Sequence, residues 1–517
     1  MSAPARELTT EPIRATKVVS SVAYNYLNTF YVTITGFLFT AFIVHHVSHS
    51  RYGVWVLTGS VITYSALFDF GIGLTVMKMV AERTHLKSRS EVVELISNAL
   101  VMYSILGLIV TGAAFCAEPF LGVLFHVHGE TLHIFRISLA ISAACLGITF
   151  PSAIYTAINQ AFQDYRYVSV LGIVVQSFGV GLSVVALLLG YGIIGVVVTG
   201  TVMNIVNFAA KIVHVRRKFG ITPRFALRRW PVARQIFSMS VWVFLLNVAA
   251  QMIFETDNIV VGAVLGTAAV ASYQVALGPA SGLQTLGDQF HSVSLTAAAS
   301  FKAHSAEEDM RRLLIEATRM IGVIVMPGVV IFSLWGRQLL DLWVGHSFSS
   351  SYPTLVVLSF ALLVAALQGT AAQVILALDR YKVTAAVALG EAVTNLVLSV
   401  VFAHIFGIIG VAIGTAIPIA LTTFFVYIPF ACRLVGISLG HVARRLALPA
   451  VVNLAVFGVL RLFADGPRLF PHLIVLLVAG GLVFIATVGA SLLLDSEQRP
   501  TYFAMLRRLR GITGAGR

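Results

Sequence analysis

Four polar side chains, Asn247, Gln251, Glu255 and Asn258, recur at intervals of four, four and three within an otherwise apolar stretch. That spacing sets all four on one face of a helix. A similar stripe, Asn25, Asn28 and Tyr31 with Tyr24 beside it, lies near the start of the chain. Gln284, Asp288 and His291 occupy a third apolar segment, and Ser65 and Asp69 a fourth. Hydroxyls, amides and carboxylates gathered this way can hydrogen-bond a polar cargo or hold an ion. They can equally clasp one helix to another, as polar groups commonly do in bundles surrounded by lipid. We take Asn25, Asn28, Tyr31, Asp69, Asn247, Gln251, Asp288 and His291 as candidates for lining a cavity.

Acids carry more information than amides, because a carboxylate within hydrocarbon is costly unless it is paired, hydrated or protonated. Glu391 falls near the middle of its apolar segment with Asn395 one turn further on the same face, and it is the preferred proton or ion site. Glu255 and Asp257 fall toward the other end of theirs and are candidates for gating or ion coupling. Lys78 and Arg319 lie within a turn or two of a segment end. Snorkelling to the interface is their default, and contact with a phosphate is the alternative. His45 and His49 have a spacing that could hold a metal on a helix, but no third ligand is near in sequence, so no metal site is expected.

The elements that must carry these residues are set by composition. Of 517 residues, 58% are hydrophobic and 11% charged, and the mean hydropathy is +0.90. Soluble surfaces need roughly twice that charge density. Apolar stretches of about 20 residues, the length that crosses a hydrocarbon core of about 30 Å, recur along the chain. They predict an all-α polytopic membrane protein of about fourteen helices, beginning near Val18, Tyr52, Val92, Leu132, Tyr167, Ile193, Gln235, Ala268, Leu313, Tyr352, Val383, Ile408, Leu446 and Leu469. The first is too long for a cleavable signal core. Cys116, Cys145 and Cys432 show no paired spacing and read as packing residues. The prolines at 151, 279, 327, 418 and 449 fall within or at the ends of spans, where they kink or interrupt helices.

The net charge of +13 comes from short basic clusters between apolar segments, such as Arg216-Arg217-Lys218 and Arg507-Arg508, and not from one stripe. No nucleic-acid partner is expected. Counting from a cytoplasmic N-terminus, most Lys and Arg fall in loops after even-numbered helices or at the ends, which puts both termini in the cytoplasm; the cytoplasmic (inner) membrane is the expected location. Anionic membrane lipid is the partner such clusters attract.

Gly192-Ile-Ile-Gly-Val recurs as Gly407-Ile-Ile-Gly-Val, 215 residues on, and Asp164 and Asp379 share that offset. Leu182 to Val185 matches Leu398 to Val401 at 216, and Tyr52 pairs with Tyr273 at 221. The pattern predicts two parallel six-helix repeats, an N-lobe over 18–213 and a C-lobe over 235–432. Residues 1–17 are a cytoplasmic lead, 214–234 a basic cytoplasmic linker, 433–494 helices thirteen and fourteen, and 495–517 a basic tail. Copies displaced by an even number of crossings share one orientation and enclose a central cavity, a frame for alternating access. There is no G-x-x-x-x-G-K-[ST] phosphate loop, and no external loop is large enough for a typical polymerase or ligase site, so enzyme chemistry is not expected.

Tyr52-Gly-Val-Trp55 with Asp69-Phe-Gly71, then Asp257-Asn-Ile-Val-Val-Gly262, Ser272-Tyr-Gln-Val-Ala276 and Leu342-Trp-Val-Gly345, resemble the polysaccharide-transporter branch of the multidrug/oligosaccharidyl-lipid/polysaccharide exporter superfamily. Glu391 with Asn395 and the stretch from Gly407 to Thr415 look similar too. The resemblance covers about residues 18 to 435. It implies a Wzx-type flippase that turns a polyprenyl-pyrophosphate-linked oligosaccharide to the outer leaflet for cell-surface polysaccharide or O-antigen synthesis. No cofactor is expected beyond a coupling proton or sodium ion, and a polymerase and chain-length proteins are candidate partners. Lipid II flippases of the superfamily carry cavity arginines, and here helices one, seven and eight have none in their apolar spans. Helix one also lacks the acid common in drug-exporting relatives. A multidrug or other lipid exporter, and a non-transporting scaffold of a polysaccharide assembly complex, are the alternatives.

Overall fold

The computed structural model describes residues 15–65, 72–73, 76–77, 79–80, 89–162, 164–223, 248, 256–303, 307–464 and 472–494. Among them the secondary structure is helical, without a strand. In chain order the helices are α1 (Ala15–His46), α2 (His49–Tyr64), α3 (Arg89–Leu124), α4 (Gly129–Thr149), α5 (Ser152–Ala161), α6 (Tyr165–Leu188), α7 (Gly192–Phe219) and α8 (Thr256–Leu265). They continue with α9 (Thr267–Ala303), α10 (Glu307–Trp343), α11 (Tyr352–Ala377), α12 (Tyr381–Phe406), α13 (Ile408–Thr422), α14 (Ile428–Val435), α15 (Leu439–Ala464) and α16 (Leu473–Leu493). A π turn, Thr423–Tyr427, joins α13 to α14.

Eleven of the described helical segments are long and apolar enough to cross a membrane. Phe120, Leu462 and Ile474 are 74–80% exposed in the protein alone, which in water would be a large aggregation hazard. Lipid accounts for it, since intrahelical hydrogen bonds already satisfy the backbone. The chain is a multi-pass membrane protein. Helices begin within four residues of the expected starts, except that α10 and α15 start six and seven residues before Leu313 and Leu446 and that the seventh, expected near Gln235, lies outside the described residues. The second, seventh and eighth expected spans do not number among the eleven, and much of the second and nearly all of the seventh lie outside the described residues. The run from His45 to His49 is not one helix: α1 ends at His46, Ser48 caps α2 by accepting from the Arg51 amide, and His45 bonds its own helix at the Ala41 carbonyl, 2.7 Å away.

The chain divides into two compact units, 1–271 and 272–517. In the first, α1 packs on α6, α6 on α7, α4 on both α3 and α7, and α2 on α4. The short α8 also packs on α2. Gly53 lies so close to the Thr267 carbonyl that a Cβ there would sit 1.8 Å from the oxygen, and Gly262 rests on Leu57 and Phe125. In the second unit α10 is the central post, with α11, α15 and α16 around it, while α12, α13 and α11 form a tight group.

The repeated pentamers adopt like conformations in the two units. Gly192 (φ +57°) and Gly407 (φ +66°) both turn through the left-handed region that favours glycine, and each starts a helix that folds back on its predecessor. Ser183 bonds Thr199 across α6 and α7 at 2.7 Å. The residues 216 further on, Ser399 and Thr415, both donate to the Val411 carbonyl at the α12–α13 contact. There Gly410 and Gly414 allow backbone-to-backbone approach, with a Cβ on Gly410 only 2.0 Å from the Phe402 carbonyl oxygen.

Candidate functional site: a buried carboxylate and two polar stripes

Glu391 lies eleven residues into the 26-residue α12 and is 3% exposed. Its Oε2 accepts from Gln368 Nε2 of α11 at 2.9 Å and from the Thr422 hydroxyl of α13. Thr423 in the π turn donates to Gln368 Oε1 at 3.0 Å and so holds the amide in place. Tyr427 donates to the Thr384 carbonyl and lies within interaction reach of both Gln368 and Glu391. Asn395, fully buried one turn on, accepts weakly from Ser399 and leaves its Nδ2 without a partner among the described residues.

Proton counting makes this cluster unusual. No cation approaches Glu391 among the described residues. The Thr422 hydroxyl has one hydrogen and three acceptors in reach: Glu391, the Pro418 carbonyl at 2.9 Å and the Ile419 carbonyl at 3.2 Å. With an ionised acid, Thr422 donates to it. With a protonated acid, the acid donates to Thr422, whose hydrogen turns to a backbone carbonyl. Both states are satisfied without moving a helix. The sequence marked Glu391 and Asn395 but not Gln368, Thr422 or Thr423. An amide alone in an apolar run and a Thr-Thr pair after a proline were the available signals.

The other candidates separate by contact. Asn28 and Tyr31 both turn toward α6: Asn28 Oδ1 lies 2.8 Å from where a Gly172 Cβ would be, and the Tyr31 hydroxyl meets Ser177 at 2.5 Å. Tyr31 ties α1 to α6, whereas Asn28 Oδ1 is buried there without a partner among the described residues. His291 of α9 faces α11, with Nε2 2.8 Å from the Ala366 carbonyl and Nδ1 3.3 Å from Asp288 of its own helix. Its ring fills the space above Gly369. Asp257 and Asn258 are buried in α8 beside Thr256, whose hydroxyl bonds Tyr64 of α2. Arg319 departs from the snorkelling expectation: it is 1% exposed and bonds Glu316 one turn back at 3.1 Å, because protein and not lipid surrounds it. Asp69, Lys78, Asn247, Gln251, Glu255 and the side chain of Asn25 lie outside the described residues.

A second stripe had no place in the sequence reading. Asn204, Asn207, Lys211, His214 and Lys218 of α7 follow one another at three, four, three and four residues, the helical spacing that would have revealed them. Lys218 and His214 both bond Asp164, the latter at 2.8 Å. Burial pushes the Asp164 carboxyl up, but these two donors outweigh it and hold the group below its ordinary value. An apolar cavity of about 240 Å³ lies between α9, α10 and α16, lined by Leu283, Trp335 and Gly480 among others. With no polar group to offer, it suits neither ion nor sugar. Among the described residues no three His, Cys, Asp or Glu gather as a metal site.

Solved structures with this fold include the lipid II flippase MurJ in an inward closed conformation, with a TM-score of 0.73 at 16% identity, covering 89% of this chain and 97% of that one. An inward-facing multidrug resistance MATE family transporter of the MOP superfamily gives 0.64 at 15% identity, covering 79% and 94%. In sequence the chain is 19% identical over 391 residues to a candidate O-antigen transporter of Shigella flexneri, 74% of this chain and 90% of that protein. It is 28% identical over 192 residues to a candidate flippase of Haloferax volcanii, 37% of this chain and 40% of that protein. The model of the family described as polysaccharide biosynthesis protein matches residues 47–353, more than half of the sequence, and the chain belongs to that family.

Proposed function

We propose that the chain exports a polyprenyl-pyrophosphate-linked oligosaccharide across the cytoplasmic membrane by alternating access, turning repeat units outward for cell-surface polysaccharide assembly. The observation that carries this reading is the match across 90% of the candidate O-antigen transporter, made by a chain of the polysaccharide biosynthesis family. The physical need is clear: sugar hydroxyls and a pyrophosphate cannot enter hydrocarbon unassisted, since each unpaired polar group costs several kcal/mol there. Glu391 is the coupling site in this reading and takes a proton or a sodium ion. Its two-way bond with Thr422 supports the proton, because loading and release leave no hydrogen bond unmade. Both termini face the cytoplasm, and a polymerase and chain-length proteins receive the exported unit.

The test is to delete the gene and assay lipid-linked oligosaccharide in each leaflet. The expected result is intermediate trapped on the cytoplasmic side and restored outside by the wild-type gene. Unchanged outer-leaflet exposure would reject the proposal and leave the multidrug or other lipid exporter, which shares the fold, as the reading to pursue. Trapping that transport-dead variants also relieve would point to the scaffold.

A further inference from the structure

The stripe on α7 contains two lysines with opposite circumstances. Lys218, half-exposed at the helix end, is neutralised by Asp164. Lys211 lies two turns deeper, about 12 Å from the end of α7 at Phe219, and is partly buried. Its ammonium donates to the Thr156 hydroxyl of α5 at 3.0 Å, and no carboxylate pairs with it among the described residues. Thr156 can donate its own hydrogen back to the Ser152 carbonyl at 3.3 Å, which leaves its oxygen free to receive the lysine. Lys211 is thus positioned by a neutral oxygen and left charged, with two of its three donors unspent.

A snorkelling lysine would run along lipid toward the headgroups. Lys211 instead turns across to a neighbouring helix. Beyond it the stripe continues inward through Asn207, whose Oδ1 is buried without a partner among the described residues, to Asn204, which is exposed. An exposed amide and a positioned, unneutralised cation at this depth are costly against hydrocarbon. They are stable where a polar, anionic group reaches them. The ammonium offers its donors to phosphate oxygens, and the amides beyond offer the acceptors and donors that hydroxyls need.

We propose that Lys211, set by Thr156 and continued by Asn207 and Asn204, receives the diphosphate of a lipid-linked head entering from the cytoplasmic leaflet. This rests on the lipid-linked cargo proposed above and assigns the anion contact that the spans expected from Val18, Gln235 and Ala268 lack in their apolar stretches. The shared chemistry is a lipid phosphate, which bulk anionic phospholipid also carries, so the experiment separates the two sources.

The full chain is reconstituted in phosphatidylcholine nanodiscs, and binding of tritiated farnesyl diphosphate is measured by scintillation proximity. Wild type should bind saturably, with unlabelled farnesyl diphosphate displacing the label and neither farnesol nor phosphatidylglycerol doing so at the same mole fraction. Lys211→Gln should weaken binding about tenfold or more, the loss of one charge-assisted contact, while Lys211→Arg stays within about threefold. Thr156→Val, which keeps the charge but removes its support, should fall between them. Unchanged affinity in Lys211→Gln overturns the proposal, as does equal displacement by phosphatidylglycerol, which would make the contact one with ordinary lipid. Should the Gln variant not fold, unaltered binding by Thr156→Val overturns it. Wild type that binds no diphosphate at all would count against the lipid-linked cargo itself, a failure distinct from wild type and variant binding alike.

Discussion

Glu391 carries the most at the scale of single residues. It is an acid enclosed by two neutral donors, with no cation beside it among the described residues. Glu391→Gln preserves shape and the amide can still bond Thr422, so folding should survive. What is lost is the ability to gain and release a charge. With the coupling charge gone and the packing kept, transport should slow by about tenfold or more, roughly 1.4 kcal/mol in the transport barrier. The measurement is outer-leaflet exposure of lipid-linked oligosaccharide in cells making equal amounts of variant and wild type. Normal export by a well-folded variant would return Glu391 to a purely structural role. The acid was legible in the sequence because a carboxylate at that depth is rare. Its partners were not, because Gln368 and Thr422 come from two other helices, 23 and 31 residues away, and only packing brings them together. The stripe of Asn28 and Tyr31 shows the converse: spacing put the two on one face, but could not say that Tyr31 reaches Ser177 of α6.

At the scale of elements, the closest contacts occur where the repeated pentamer starts a helix. The Gly410 backbone presses on the Phe402 carbonyl, which cannot move without unwinding α12, whereas a Cβ on Gly195 would meet the Cβ atoms of Tyr191 and Ala186 at 2.7 and 3.0 Å. Gly410→Ala should therefore destabilise by about 1–3 kcal/mol, the usual cost of overpacking, and Gly195→Ala by less. Thermal unfolding of the purified protein in one detergent checks the order, and a Gly410→Ala protein as stable as wild type would contradict the close approach. Helix starts were readable almost throughout, since long apolar runs bounded by Gly and charge leave little choice. Less readable were the short helices: α5 continues from α4 across Pro151, and α8 starts at Thr256, where hydropathy alone gives no boundary.

At the scale of the whole molecule, the sign and position of the charged loops make a topology claim. Reporter fusions test it: a fluorescent protein at either end should fluoresce, and alkaline phosphatase inserted at residues 125–128 between α3 and α4 should be active, because that turn follows an odd-numbered span. An active phosphatase at the C-terminus would make the number of crossings odd and undo the expected orientation. Composition settled the solvent of this protein at once, while the cargo proposed for it rests on kinship and not on any residue read in isolation. The π turn at Thr423–Tyr427 adds something hydropathy has no means to express. A helix closed every five residues stores one residue of slack, about 100° of rotation and 1.5 Å of length relative to an α-helix. Here the slack adjoins the two hydroxyls that hold Gln368 and Glu391. Rewinding that turn would re-aim α14 and loosen the acid's partners in one motion, so in the proposed cycle the load on the carboxylate and the winding of the helix would act as tooth and spring of the same ratchet.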